Sequence, residues 1–89
     1  MNSKANWVLE IDPAIYKVIR KIPRKIGERI LITIQNLAIN PYFGDIQKIK
    51  GEKNIWRHRV GSYRIFYETI PKEKIVYVFR IERRSSKTY

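Results

Sequence analysis

Three arginines, Arg57, Arg59 and Arg64, fall within the stretch IWRHRVGSYRIFYE, Ile55 to Glu68, among aromatic and branched residues on either side of a Gly-Ser pair. A guanidinium stays charged at any physiological pH, and its planar fork of donors matches two oxygens of a phosphate. Several of them on one short hairpin point to an anion-binding surface. Other chemistry is thinly supplied. The chain has no cysteine, which removes disulfides, thiol nucleophiles and Cys-based metal sites, and its one histidine, His58, rules out a His-rich metal cluster. Catalysis would fall to lysine, arginine, tyrosine or carboxylates.

The hairpin itself sorts these side chains. Gly61-Ser62 suits a tight two-residue turn, so Val60 is expected to face Tyr63, Arg59 to face Arg64, His58 to face Ile65 and Arg57 to face Phe66. With side chains alternating between faces, Trp56, His58, Val60, Tyr63, Ile65 and Tyr67 share one mostly apolar face, which should meet the rest of the core. Arg57, Arg59, Arg64 and Phe66 share the other. Two like charges directly across an antiparallel pair cost on the order of 0.2–1 kcal/mol when exposed. One reading has Arg59 and Arg64 splayed into solvent or neutralised by Glu68 and Glu52. The other has them reserved for an anion. Phe66 either stacks on a base or packs against a loop or a partner. A basic and aromatic mixture of this kind fits single-stranded RNA, whose unstacked bases offer faces and edges together. His58 has the only unperturbed pKa near neutrality, but its position beside Trp56 and Val60 favours a structural role.

Residues 5–11 read as a first strand, ended by Asp12-Pro13, a capping residue followed by the proline favoured at the first helical position. Ile15, Val18, Ile19 and Ile22 then recur with the spacing of one buried helical stripe, and Pro23 breaks that helix. A second helix carries Ile26, Ile30, Ile34 and Leu37 on one face, until Asn40-Pro41 stops it. The segment IQKIKGEKN is ambiguous between a short strand and an irregular stretch. Residues 55–60, 63–69 and 74–81 read as strands. The order β-α-α-β-β-β describes an α+β fold, a helical hairpin packed on one face of a small, mainly antiparallel sheet. At 89 residues, with 44% hydrophobic and 30% charged, residues 1–89 are expected to form a single domain. A formal charge of +11 calls for an acidic partner, nucleic acid or protein. The sequence shows no apolar run long enough for a membrane span and no signal-peptide core at MNSKANW, so a cytoplasmic protein is expected.

The hairpin IWRHRVGSYRIFYE, the preceding KIKG, the following IVYVFRIERR and Tyr89 together resemble the RelE/ParE superfamily of toxins from type II toxin–antitoxin pairs, along nearly the whole chain. RelE-type members are ribosome-dependent endoribonucleases, mRNA interferases that cut messenger RNA in the ribosomal A site. ParE-type members keep the fold and act on DNA gyrase. The resemblance implies catalytic positions at Arg57, Arg64 and Tyr89. It also implies an arginine after the last strand, which is Arg84 counting forward from the strand and Arg83 counting back from Tyr89. Arg59, Phe66, Lys48 and Lys50 are the further RNA-binding candidates. Where some members carry a pair of lysines on the second strand, this chain has Ile55 and Arg57, so a lysine base is not reproduced there.

The implied reaction is attack of the RNA 2′-OH on the adjacent phosphorus, leaving a 2′,3′-cyclic phosphate and a 5′-OH. Preorganised arginines stabilise the charge that grows on the phosphoryl oxygens. Tyr89 is the candidate general base, provided neighbouring arginines lower its pKa from about 10. No cofactor and no metal are expected. The implied partners are a cognate acidic antitoxin, the ribosome and its mRNA, with DNA met only through the antitoxin complex. The alternatives are a gyrase-poisoning toxin of the ParE type and a catalytically silent, basic RNA-binding module.

Overall fold

Asp12 begins the first helix as its sequence suggests: its Oδ1 accepts from the Ala14 backbone N–H at 2.9 Å, and Pro13 takes the first helical position. The computed structural model describes residues 6–83. In chain order these form β1 (Val8–Ile11), α1 (Pro13–Arg20), α2 (Arg24–Leu37), β2 (Ile46–Lys48), β3 (Ile55–Val60), β4 (Tyr63–Ile70) and β5 (Ile75–Arg83). The five strands make one sheet in the order β1-β5-β4-β3-β2. Only the β1–β5 pair is parallel, because the chain returns to it through the two helices and the β2–β4 meander.

The α+β architecture, with a helical hairpin on one sheet face, is the one the periodicity implied. The boundaries differ in physically clear ways. The first strand is shorter than 5–11: the N–H groups of Asn6 and Trp7 both donate to the Ala38 carbonyl at 2.9 Å, tying residues 6–7 to the end of α2. The ambiguous segment contributes a short edge strand, Ile46–Lys48, followed by a turn. The last strand runs on to Arg83.

The core lies between the helices and the sheet. Ile15, Ile22, Ile30, Ile34 and Leu37 meet Val60, Ile65, Tyr67, Val76 and Val78, all buried. Burying a side chain of this size is worth about 1.5–3 kcal/mol, so this one seam holds the helices to the sheet. Its polar members are paired. Tyr67 Oη donates to the Pro41 carbonyl at 2.6 Å, and Trp56 Nε1 donates to the buried Thr69 hydroxyl at 3.1 Å. Burial, with the nearby Tyr42 phenol adding to it, pushes the Tyr67 hydroxyl well above its ordinary pKa, so it stays protonated as a donor.

The Tyr67 bond also anchors the loop between α2 and β2. Asn40 Oδ1 accepts from the Tyr42 N–H at 3.0 Å, and the Tyr42 ring sits edge-on to both Trp7 and Trp56, with centroids 5.8 and 5.3 Å away. That loop delivers Gly44 and Asp45 to the edge of β3.

Candidate nucleic-acid interface

The β3–β4 hairpin has the register its turn dictates. Gly61 carries a positive φ of 58° and Ser62 does not, the pattern of a turn that needs glycine only at its first central position. Val60 pairs with Tyr63, Arg59 with Arg64, His58 with Ile65 and Arg57 with Phe66. Since Val60, Ile65 and Tyr67 are buried against the helices, the alternate residues occupy the opposite, open face of the sheet.

On that face Arg57, Arg59 and Arg64 line a cleft of about 230 Å³ together with Asp45, Ile46 and Gln47. The cleft's acidic and polar members come from the α2–β2 loop and β2. Asp45 holds Arg59 twice, accepting the Arg59 backbone N–H on its carbonyl at 3.0 Å and the side-chain Nε on Oδ2 at 3.0 Å. Gln47, the cross-strand partner of Arg57, accepts a hydrogen bond from the Arg57 guanidinium. Arg64 makes no ion pair among the described residues, although Glu82 stands opposite it on β5. The arrangement sets one arginine fork in place, clamps a second against a carboxylate and leaves the third open in the same cleft. Preorganised guanidinium groups of this kind suit a phosphate.

The alternative in which Glu68 and Glu52 neutralise Arg59 and Arg64 is not met among the described residues. Glu68 faces Ile55 and Tyr77, away from the cleft, and Glu52 lines a different groove. Asp45 has that role for Arg59 alone.

A second feature is absent from the sequence reading. Phe66 pairs with Arg80 and Tyr67 with Val78, so Phe79 is left over as a bulge in β5. Phe79 and Arg80 consequently join Phe66 on the open face, where all three line one groove with Ile49, Glu52 and Ile55. Arg80 lies over the Phe66 ring, 5.7 Å from its centroid, and its Nε is 3.2 Å from Glu82 Oε2. The signal was present: Val76 and Val78 are spaced for the core, Arg80 falls on the same parity, and the apolar partner appears one residue late at Ile81.

The remaining predicted positions separate. Lys48 pairs with Trp56, which places it on the helix-facing side of the edge strand, and Lys50 follows in the turn; neither lines the arginine cleft. Arg83 pairs with Tyr63, a residue packed against the core, so by alternation it belongs to the face opposite the arginines. Arg84 and Tyr89 lie outside the described residues. His58 is half-buried, lines a groove with Phe43, Gly44 and Leu37 on the helical side, and donates from Nδ1 to the Arg59 carbonyl at 3.3 Å.

The family model for the ParE toxin of the type II toxin–antitoxin system parDE matches residues 10–87. The chain belongs to this toxin family. RelE1 of Methanocaldococcus jannaschii is 27% identical to it over 79 residues, which is 85% of this chain and 88% of that protein. The fold matches the crystal structure of the archaeal RelE–RelB complex from Pyrococcus horikoshii with a TM-score of 0.78, at 22% identity over 91% of this chain and 98% of that one. It matches the isolated E. coli RelE toxin with a TM-score of 0.76, at 18% identity over 91% of this chain and 87% of that one. In this chain two helices pack on one face of a five-strand mixed sheet, and the helix-free face carries the arginine cleft.

Proposed function

We propose that this toxin is a RelE-type mRNA interferase, which cuts messenger RNA in the ribosomal A site by attack of the 2′-OH on the adjacent phosphorus. The observation that carries the reading is the cleft in which Arg57, Arg59 and Arg64 converge on the open sheet face. Arg64, with no ion pair among the described residues, is assigned to the phosphoryl oxygens, where charge grows in the transition state. Arg57, steadied by Gln47, positions the phosphate. An arginine with a pKa above about 12 is a poor proton donor, so proton transfer needs another group. Tyr89 is assigned as general base and Arg84 as the second charge-stabilising arginine. His58 is given no proton-transfer role, because it faces the helical side with Gly44 and Leu37. An acidic antitoxin, which the RelE–RelB complex from P. horikoshii makes the natural partner to expect, would block the cleft by covering its charge.

A gyrase-poisoning activity of the ParE type is the second reading, favoured by the family model that matches. It has no use for a preorganised phosphate cleft on a sheet face. A cell-free translation reaction with purified protein separates the two. We expect cuts in the mRNA at the A site, lost in Arg64→Ala, Arg84→Ala and Tyr89→Phe, and retained in Arg83→Ala, whose position on β5 belongs to the other face. Gyrase-linked DNA breaks with intact mRNA would overturn the proposal.

A further inference from the structure

The bulge at Phe79 produces a concavity on the open face that is distinct from the arginine cleft. It measures about 350 Å³ and is lined by Ile49, Glu52, Ile55, Phe66, Phe79 and Arg80. The two sites adjoin through one cross-strand row, Gln47–Arg57–Phe66–Arg80, in which Arg57 borders the cleft and its partner Phe66 borders the groove. Neighbouring strands are about 4.8 Å apart, so a phosphate held at Arg57 has its own or the next base within reach of Phe66.

We propose that this groove receives one unstacked RNA base adjoining the phosphate in the arginine cleft, and that Glu52 selects a base carrying an exocyclic amino group. The proposal rests on the RNA reading above and deepens it. Phe66 and Phe79 supply aromatic faces for stacking, which is worth enough to decide single-strand affinity and tolerates any base. Arg80, over the Phe66 ring at 5.7 Å, adds a planar cation that stacks on bases as well. Ile49 and Ile55 complete an apolar lining.

Glu52 is the one carboxylate of that lining. Its backbone N–H donates to the Ile49 carbonyl at 3.2 Å, so the turn that carries it is closed onto the groove's own wall. A carboxylate repels phosphate and accepts only from donors. It therefore keeps the RNA backbone in the arginine cleft and rewards the amino group of cytosine over the carbonyl of uracil at the same ring position.

The test measures equilibrium binding of the full chain, by fluorescence anisotropy, to short oligocytidylate and oligouridylate RNA, with inorganic polyphosphate as a base-free competitor. The wild-type chain is expected to prefer oligocytidylate by roughly fivefold or more. Phe79→Ala should weaken both RNAs by roughly five- to hundredfold and leave polyphosphate affinity unchanged. Glu52→Gln should erase the preference between the two RNAs. Phe79→Leu, which keeps the apolar volume and removes the ring, repeats the measurement should the alanine variant fold poorly. Equal losses for RNA and polyphosphate, or no loss of RNA affinity, overturn the groove as a base site; the latter is the result expected of a groove that takes a partner protein's side chain. No preference in the wild type overturns the selection by Glu52. Arg64→Ala isolates the underlying reading, since unchanged polyphosphate affinity in that variant would sink the phosphate cleft itself whatever Phe79 does.

Discussion

Arg59 and Arg64 stand directly opposite one another on β3 and β4, and of the two only Arg59 has an ion-pair partner among the described residues, Asp45 at 3.0 Å. Two guanidinium groups in that relation repel. Asp45 and Arg59 are both more than half exposed, so their pair offsets little in water, about 0–1 kcal/mol. The fold keeps a small electrostatic cost at the place where the arginine cleft lies.

Arg64→Ala is therefore expected to leave stability unchanged or to raise it, by about 0.2–1 kcal/mol through relief of the cross-strand repulsion. The same change should lower mRNA cleavage by about a hundredfold or more, the usual loss when one transition-state charge donor is removed. Urea unfolding and a cleavage time course check the two halves separately. A drop in stability that accounts for the lost cleavage would make Arg64 a structural residue.

Gly44 has a φ of +112°, and a Cβ built there would lie 2.6 Å from His58 Nε2. Gly44→Ala is expected to destabilise the fold by about 1–3 kcal/mol, part backbone strain and part collision with the imidazole. Combining it with His58→Ala removes the collision and leaves the strain, so the double-mutant cycle should show a favourable coupling between the two substitutions. Additive losses in urea denaturation would mean that the ring swings clear at no cost.

Tyr67 carries its proton in the fold to a higher pH than in the unfolded chain, because burial raises its pKa from 10.0. Above about pH 10 the unfolded state releases a proton that the folded state retains, and stability must fall as pH rises. The contribution is fully present below that pH. Tyr77 acts in the same sense, its phenol raised by burial and by the Asp12 carboxylate that its Oη meets at 3.2 Å. Unfolding free energies at pH 9 and pH 11 should differ more in the wild type than in Tyr67→Phe. That variant also leaves the Pro41 carbonyl without its donor and should cost about 1–3 kcal/mol at neutral pH. An equal pH slope in both proteins would remove Tyr67 from the account.

Much of the architecture was legible in local patterns. Asp12-Pro13 starts α1, the isoleucines spaced three and four apart define the buried helical stripes, and Gly61-Ser62 sets the register that divides Val60 and Ile65 from Arg57, Arg59 and Arg64. These are effects of neighbours a few residues apart: turn geometry, capping and side-chain period.

What tertiary structure decided was which distant residues meet the arginines. Asp45, fourteen residues from Arg59, reaches it because Tyr67 anchors the α2–β2 loop through the Pro41 carbonyl. Edge strand β2, three residues long with two of them polar, pairs only because β3 presents a free edge, and that pairing turns Gln47 toward the cleft and Lys48 away. The bulge that carries Phe79 and Arg80 onto the open face depends on the pairing of β5 with β4. Such choices rest on long-range packing, whose partners are set by the whole chain, whereas the alternation of one hairpin is set by its own turn.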